Sequence, residues 1–197
     1  MDTQPRQNNL EAKIASGLER VSEAFRVLLW QEAKTYGLSP IQVQILVFVH
    51  THRTGMATVS SLASEFNMTK ATISDSVKTL IRKELVQSVS DRSDSRSFNL
   101  ALTDFGRQIA EGSARFTSDI EQALESFPEL QKESMYTALL QLISQLNAKG
   151  VISLQRMCLN CRFHSRQQDF HYCNLLETVL SDAELRVDCN EFSAKTA

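Results

Sequence analysis

The sequence predicts a mainly helical protein with one small β-hairpin and a separate cysteine-bearing tail. Three observations carry that expectation. Apolar residues recur at helical spacing over most of the first 148 positions, only six Gly and three Pro interrupt 197 residues, and all four cysteines fall after residue 157. Steps of three and four mark one face of a helix, whereas alternation marks a strand.

From Leu10 the apolar positions run Leu10, Ile14, Leu18, Val21, Phe25 and Leu28, a narrow stripe on one side of a long helix. Thr35-Tyr36-Gly37 ends it, with Gly37 suited to the left-handed position after a helix. Ser39-Pro40-Ile41-Gln42 starts the next helix: Ser39 caps, Pro40 suits the first turn and Gln42 completes a capping box. Ile41, Ile45, Phe48 and Val49 are its expected buried face. Residues 50–57 break the pattern and read as a loop or short strand, in which His50 and His52 have no assigned role. Thr58 caps a brief helix over 59–66 whose core side is Leu62, Ala63 and Phe66, and Asn67-Met68-Thr69 forms a turn. A helix over about 70–83 follows, with Ile73, Val77, Leu80 and Ile81 inward. Residues 85–90 and 97–102 read as short strands around the polar tip 91–96. Thr103 caps a second long helix reaching Phe127, with Asp104 against the positive end of its dipole and Phe105, Ile109, Phe116, Ile120, Leu124 and Phe127 as its stripe. Pro128 breaks it and opens a helix carrying Met135, Leu139, Leu142 and Leu146, which residues 147–150 close.

Composition removes several classes. The longest apolar run, residues 45–49, is far short of the roughly 20 a membrane span needs. Residues 1–11 are polar and lack the apolar core of a secretory signal, so a soluble, cytoplasmic protein without membrane association is expected. Formal charge is −2, so no global basic field announces a polyanion. No paired carboxylates, nucleophile–base arrangement or phosphate loop is identifiable, and no enzyme is expected.

Residues 39–102 give helix, short helix, turn, helix and hairpin, the order of a winged helix-turn-helix. With Ile73 at the centre of the inward face, the opposite side of the 70–83 helix carries Ala71, Thr72, Asp75, Lys78, Thr79 and Arg82. Small and hydroxyl-bearing residues near its N-terminal end let backbone approach the major groove, and Lys78 and Arg82 lie where phosphates would pass. Arg92 and Arg96 at the hairpin tip suit the adjacent minor groove, while Asp91 and Asp94 brace the tip. Residues 52–107 hold eight basic and six acidic side chains, so specific binding would rest on few phosphate contacts per half-site.

Here the sequence resembles the MarR family of regulators. Ser39-Pro40, Val59-Ser60-Ser61-Leu62-Ala63, Thr69-Lys70-Ala71-Thr72-Ile73-Ser74 and Val77 through Leu80 follow the family in order and spacing, as do Asp91-x2-Asp94-x-Arg96 and Leu102-Thr103-x2-Gly106. The resemblance covers roughly residues 8–148. It implies a homodimer whose terminal helices interlock, with two winged modules reading a palindromic operator in double-stranded DNA, and small-molecule effectors bound between the two parts. The expected DNA contacts are Thr69, Lys70, Ala71, Thr72, Ser74, Asp75, Lys78, Thr79, Arg82, Arg92 and Arg96. The resemblance also excludes sensing through an N-terminal cysteine, a device of MarR-like peroxide sensors, since none precedes Cys158.

The expected organisation is a helical dimerisation region (8–36 and 104–148), a winged DNA-binding module (39–102) and a four-cysteine extension (150–192) outside the resemblance. Cys158-x2-Cys161, Cys173 and Cys189 have the look of a metal site in a chain with no route to an oxidising compartment. Four thiolates around tetrahedral zinc is the simplest reading, with a short helix over 174–184 between the last two ligands. An iron–sulfur cluster and a metal-free thiol switch use the same residues. His171 offers a mixed site, but neither it nor His164 enters the expected ligand set. The function expected is a sequence-specific transcriptional regulator, acting as a repressor; the alternative from another class is a metal-stabilised winged module that binds proteins rather than DNA.

Overall fold

The computed structural model describes residues 9–195, apart from residues 54, 91–97, 154–155 and 168–169. Helix α1 (Leu10–Thr35) starts at Asn9, whose side chain accepts from Glu11 N–H at 2.8 Å, and stops where Gly37 turns left-handed at φ 59°. Helix α2 (Pro40–Thr51) has the expected capping box: Ser39 Oγ accepts from Gln42 N–H, and Gln42 Oε1 accepts from Ser39 N–H at 3.0 Å. Its buried residues are Val43, Ile45, Leu46 and Phe48, a broader face than the sequence stripe suggests, because this helix runs through the middle of the core. It also runs further than expected and takes in His50 and Thr51.

Helix α3 (Val59–Glu65) follows its Thr58 cap, and α4 (Lys70–Arg82) follows Thr69, whose hydroxyl accepts from Thr72 N–H. Asn67 takes φ 53° in the turn between them, a position tolerated best by Gly and Asn. Ile73, Val77 and Leu80 are buried as expected, but Ile81 is exposed, lying past the edge of the apolar face. Strands β1 (Val86–Ser90) and β2 (Phe98–Leu102) pair antiparallel with Val86 opposite Leu102.

The joint after the hairpin explains why threonine and glycine stand three apart. Thr103 N–H donates to Leu85 O at 3.1 Å, its hydroxyl donates to Glu84 O at 2.7 Å and accepts from Gly106 N–H at 3.0 Å. One side chain therefore caps the following helix and ties it to the residues that lead into β1. The helix arrives so close that a Cβ on Gly106 would lie 1.8 Å from Leu85 O.

The second long helix is not continuous. It divides into α5 (Asp104–Ser113) and α6 (Ser118–Glu125), and Phe116 lies in the turn between them. Arg115, Phe116 and Ser118 donate to Gly112, Ser113 and Arg115 three residues back, so the helical ladder tightens and loses register there. Helix α7 (Glu129–Ala148) begins after Pro128 and ends before Gly150, at φ 70°.

Two apolar clusters result. The larger joins α2, α3, α4, the hairpin and α5 around Val43, Leu46, Leu62, Ile73 and Leu80, all fully buried. The smaller packs Met157 and Leu185 of the tail against Leu140 of α7. The stripe of α1 is not covered: Leu10 is 66% exposed, with Ile14, Val21, Phe25 and Trp30 beside it. No helix among the described residues is long and apolar enough to cross a membrane.

The expected helix over 174–184 is absent. The tail instead forms a three-stranded antiparallel sheet, β3 (His164–Gln167), β4 (Phe170–Cys173) and β5 (Thr178–Leu180), with a 3-10 turn over Asp182–Glu184. Glu177 takes φ 51° and reverses the chain between β4 and β5, which a helix could not accommodate.

Candidate nucleic-acid interface and cysteine centre

Helix α4 presents the predicted polar face outward. Thr69, Lys70, Ala71, Thr72, Asp75, Lys78 and Arg82 are exposed, while Ser74 and Thr79 are half-buried at its edges. Capping decides what is free to bond. The Thr69 and Thr72 hydroxyls lie 2.8 Å apart at the helix start, leaving the first-turn amides beside them. Thr79 is engaged already, its hydroxyl donating to Asp75 O at 3.0 Å. Lys78 Nζ lies 3.1 Å from Asp75 Oδ1, but both side chains are more than 70% exposed, and such a pair contributes little and yields readily to a phosphate. At the far end, Lys83 donates to Gly37 O at 2.9 Å and pins α4 to the α1–α2 turn. Arg92 and Arg96, like Asp91 and Asp94, lie outside the described residues.

The four cysteines come from three separate pieces of backbone and border one cavity of about 330 Å³. Cys158 and Cys161 sit on a 3-10 turn, with Cys161 N–H donating to Cys158 O at 3.0 Å. Cys173 ends β4, opposite His164. Cys189 is held by its N–H to Arg156 O at 2.9 Å, and Cys158 by its N–H to Arg186 O at 3.0 Å. Arg186 returns the favour chemically: its N–H donates to Cys158 Sγ at 3.2 Å and its guanidinium reaches Cys189 Sγ at 3.9 Å. All four thiols are free of disulfides. Burial pushes the Cys158 thiol above its ordinary pKa, and the other three cysteines push the same way. Among the described residues, no three His, Cys, Asp or Glu side chains converge closely enough to hold a single ion.

The histidines form a relay beside the cavity rather than part of its sulfur set. His164 Nε2 is 2.7 Å from His171 Nδ1, and His171 Nε2 is 3.3 Å from Asp182 Oδ1. Burial, then the neighbouring His171, holds His164 below the usual histidine range.

His52 and its partners are what sequence reasoning missed. Their signal is non-local, since the four groups stand at positions 52, 65, 156 and 188. Arg156 donates from Nη1 to Glu65 Oε2 at 2.9 Å and from Nε to Asp188 Oδ1 at 2.9 Å, and its guanidinium lies 4.9 Å from the centre of the Phe48 ring. His52 stacks on Phe48 and sets Nε2 at 2.8 Å from both Asp188 Oδ2 and Arg156 Nη2. Arg53 adds a pair with Glu191. Burial works against ionisation of Asp188, but the bonds from His52 and Arg156 outweigh it and bring the carboxyl from 3.8 to about 2. At Glu65 burial wins over Arg156, and the pKa is raised.

The MarR family model matches residues 36–97. Solved structures match over more of the chain. S. aureus MepR bound to DNA is 24% identical with a TM-score of 0.59, over 67% of this chain and 97% of that one. Streptococcus pneumoniae FabT in complex with DNA is 23% identical with a TM-score of 0.58, over 69% and 96%. A MarR transcriptional regulator from Methanosarcina mazei Go1 is 18% identical with a TM-score of 0.57, over 69% and 96%. No curated protein sequence matches. Residues 36–97 thus match the MarR family model, and the chain has the winged-helix fold of these solved regulators.

Proposed function

We propose that this chain is a non-enzymatic, DNA-binding transcriptional regulator that acts as a homodimeric repressor. The observation that carries the reading is the exposed face of α4. Its threonine-capped first turn, small Ala71 and outward Lys78 and Arg82 suit entry into a major groove, with base edges met near the N-terminus and phosphates further along. MepR and FabT, which share the fold, are both known bound to DNA.

The second copy is argued from what α1, α5, α6 and α7 leave uncovered. Leu10, Ile14, Val21 and Phe25 on α1, Phe105 at 59% exposed on α5 and Leu130 at 74% on α7 form apolar surface that a lone chain would present to water. A two-fold pairing of these helices covers it and sets two α4 helices one helical turn of DNA apart. The cysteine cavity is the metal-binding part of this reading, and an effector or metal change acts by altering the spacing of the two reading helices.

Selection from a random duplex library, followed by anisotropy titration, tests the reading. A palindromic site bound with steep salt dependence supports it, and K78A/R92A then weakens binding while lowering the salt slope by about 1 to 2, with the dimer intact by sedimentation. Enrichment of no sequence, or a slope unchanged in the double variant, overturns the contact assignment.

A further inference from the structure

We propose that Arg156 is a positioning residue for DNA reading: from the tail it holds the turn between α3 and α4, and so sets the angle at which α4 is presented. The proposal rests on the DNA-binding reading. It is independent of what the cysteines hold, since each contact it uses is closed in this structure.

Arg156 is enclosed and engaged at every side-chain nitrogen. Its side chain is 11% exposed, and Nη1 donates to Glu65 Oε2 at 2.9 Å. Nε and Nη2 donate to the two oxygens of Asp188 at 2.9 and 3.2 Å. The guanidinium lies over the Phe48 ring, and Nη2 stands 2.8 Å from His52 Nε2. A planar fork fixes directions as well as distances, so this one group sets the end of α2, the end of α3 and the tail relative to each other. So occupied, it has no fork to offer a phosphate, and its effect on DNA passes through α3.

Glu65 is the last residue of α3, and α4 opens at Lys70 after residues 66–69. That connection is tight. Asn67 takes φ 53°, Met68 N–H donates to Ala63 O at 2.9 Å, and Phe66 meets the Phe48 ring edge-on with centroids 6.0 Å apart. Ser153 of the tail donates to Ser64 O, so the last turn of α3 is held at its backbone as well as at Glu65. A rotation at the end of α3 therefore reaches α4 with no long loop to absorb it. Charge gives the consequence of losing Arg156. Burial raises the Glu65 pKa even against the pull of Arg156, and Asp188 pushes the same way. Without the guanidinium the carboxylate keeps only His52 as a partner of opposite sign and turns towards water, taking the end of α3 with it.

Titration of the full chain against the selected site and against random duplex tests the role. R156M keeps an apolar stem over Phe48 and removes the fork. It should weaken binding to the selected site by about 3- to 30-fold, the range for residues that act on a site from a distance, and leave random duplex within about twofold. The salt slope should stay as in wild type, whereas K78A lowers it by about 1. E65Q keeps the shape and removes the charge, and should weaken binding in the same way. Added to R156M it should cost less than about twofold more, because both act through one contact. If R156M does not fold, E65Q decides by the same criteria. Loss of less than about threefold in either single variant, equal loss on selected and random duplex, or a slope lowered by about 1 overturns the positioning role. Wild type that enriches no sequence overturns the DNA-binding reading itself. Wild type that enriches a site which R156M and E65Q bind as tightly overturns the role of Arg156 alone.

Discussion

The winged module and the cysteine tail solve the same folding problem with different means. The module buries apolar residues from every one of its elements, among them Val43, Ile45, Leu46, Leu62, Ile73, Leu80, Val86 and Leu100, and completes its core with Ala33 of α1 and Ile109 and Ala110 of α5. The tail buries Met157 and Leu185 and borrows Leu140 from α7 to cover them. Its sheet has three strands of three or four residues, too small to stand alone in water. What holds it in this structure is a set of polar clasps to its neighbours, among them Arg156 to Glu65 and Ser144 to Asn160.

The sharpest test of the contrast removes one cysteine of the proposed metal site. In C161S, amide exchange in β3, β4 and β5 is expected to lose nearly all protection, as metal-held domains do when apo, while amides of α2 and α4 keep theirs. Equal loss in both regions would mean that they fold as one unit.

The module has its own point of failure. G106A drives a methyl group into Leu85 O and should cost about 3 kcal/mol or more, with the loss read as a lower thermal midpoint for the module. The equivalent step from Gly17, which meets nothing within 4 Å, should be neutral or stabilise α1 by up to about 1 kcal/mol.

A smaller effect separates the two regions by pH. Asp188 has its pKa lowered to about 2, so its share of the docking energy is complete above the ordinary 3.8 and is lost as pH falls towards 2. The half-exposed carboxylate limits the size of that share. D188N should flatten the acid limb of tail release, followed by exchange of tail amides, without moving the acid unfolding of α2. Smallest is S39A, which removes one side of the α2 capping box and should cost the module about 1 kcal/mol.

How much of this was legible in the sequence follows the range of the signals. Ser39, Thr58, Thr69 and Thr103 announce helix starts within three residues of themselves, and each caps the helix expected of it. Ile73, Val77 and Leu80 announce a face by spacing alone. The break at Phe116 carried only a faint mark, Gly112 one turn before it, because Phe116 itself continues the apolar stripe in phase. In the tail, Leu175, Leu176, Val179 and Leu180 imitate a helical face, and the reversal at Glu177 hides in a residue that rarely adopts φ 51°. The four cysteines were visible as a group, but the β3–β4 register that brings Cys173 to the same cavity as the others was not. Arg156 and Asp188 lie more than a hundred residues from His52 in sequence, beyond any local pattern.

The close approach of Gly106 to Leu85 has a mechanical meaning. Thr103 bonds both sides of that contact, so the hairpin and α5 share a joint with no slack. A tilt of the stem helix is handed to the hairpin undiminished, as a crank turns with its shaft. On the proposed DNA-binding reading, the attitude of α5 sets that of the β1–β2 hairpin, and a signal that rotates α5 moves the hairpin without touching it.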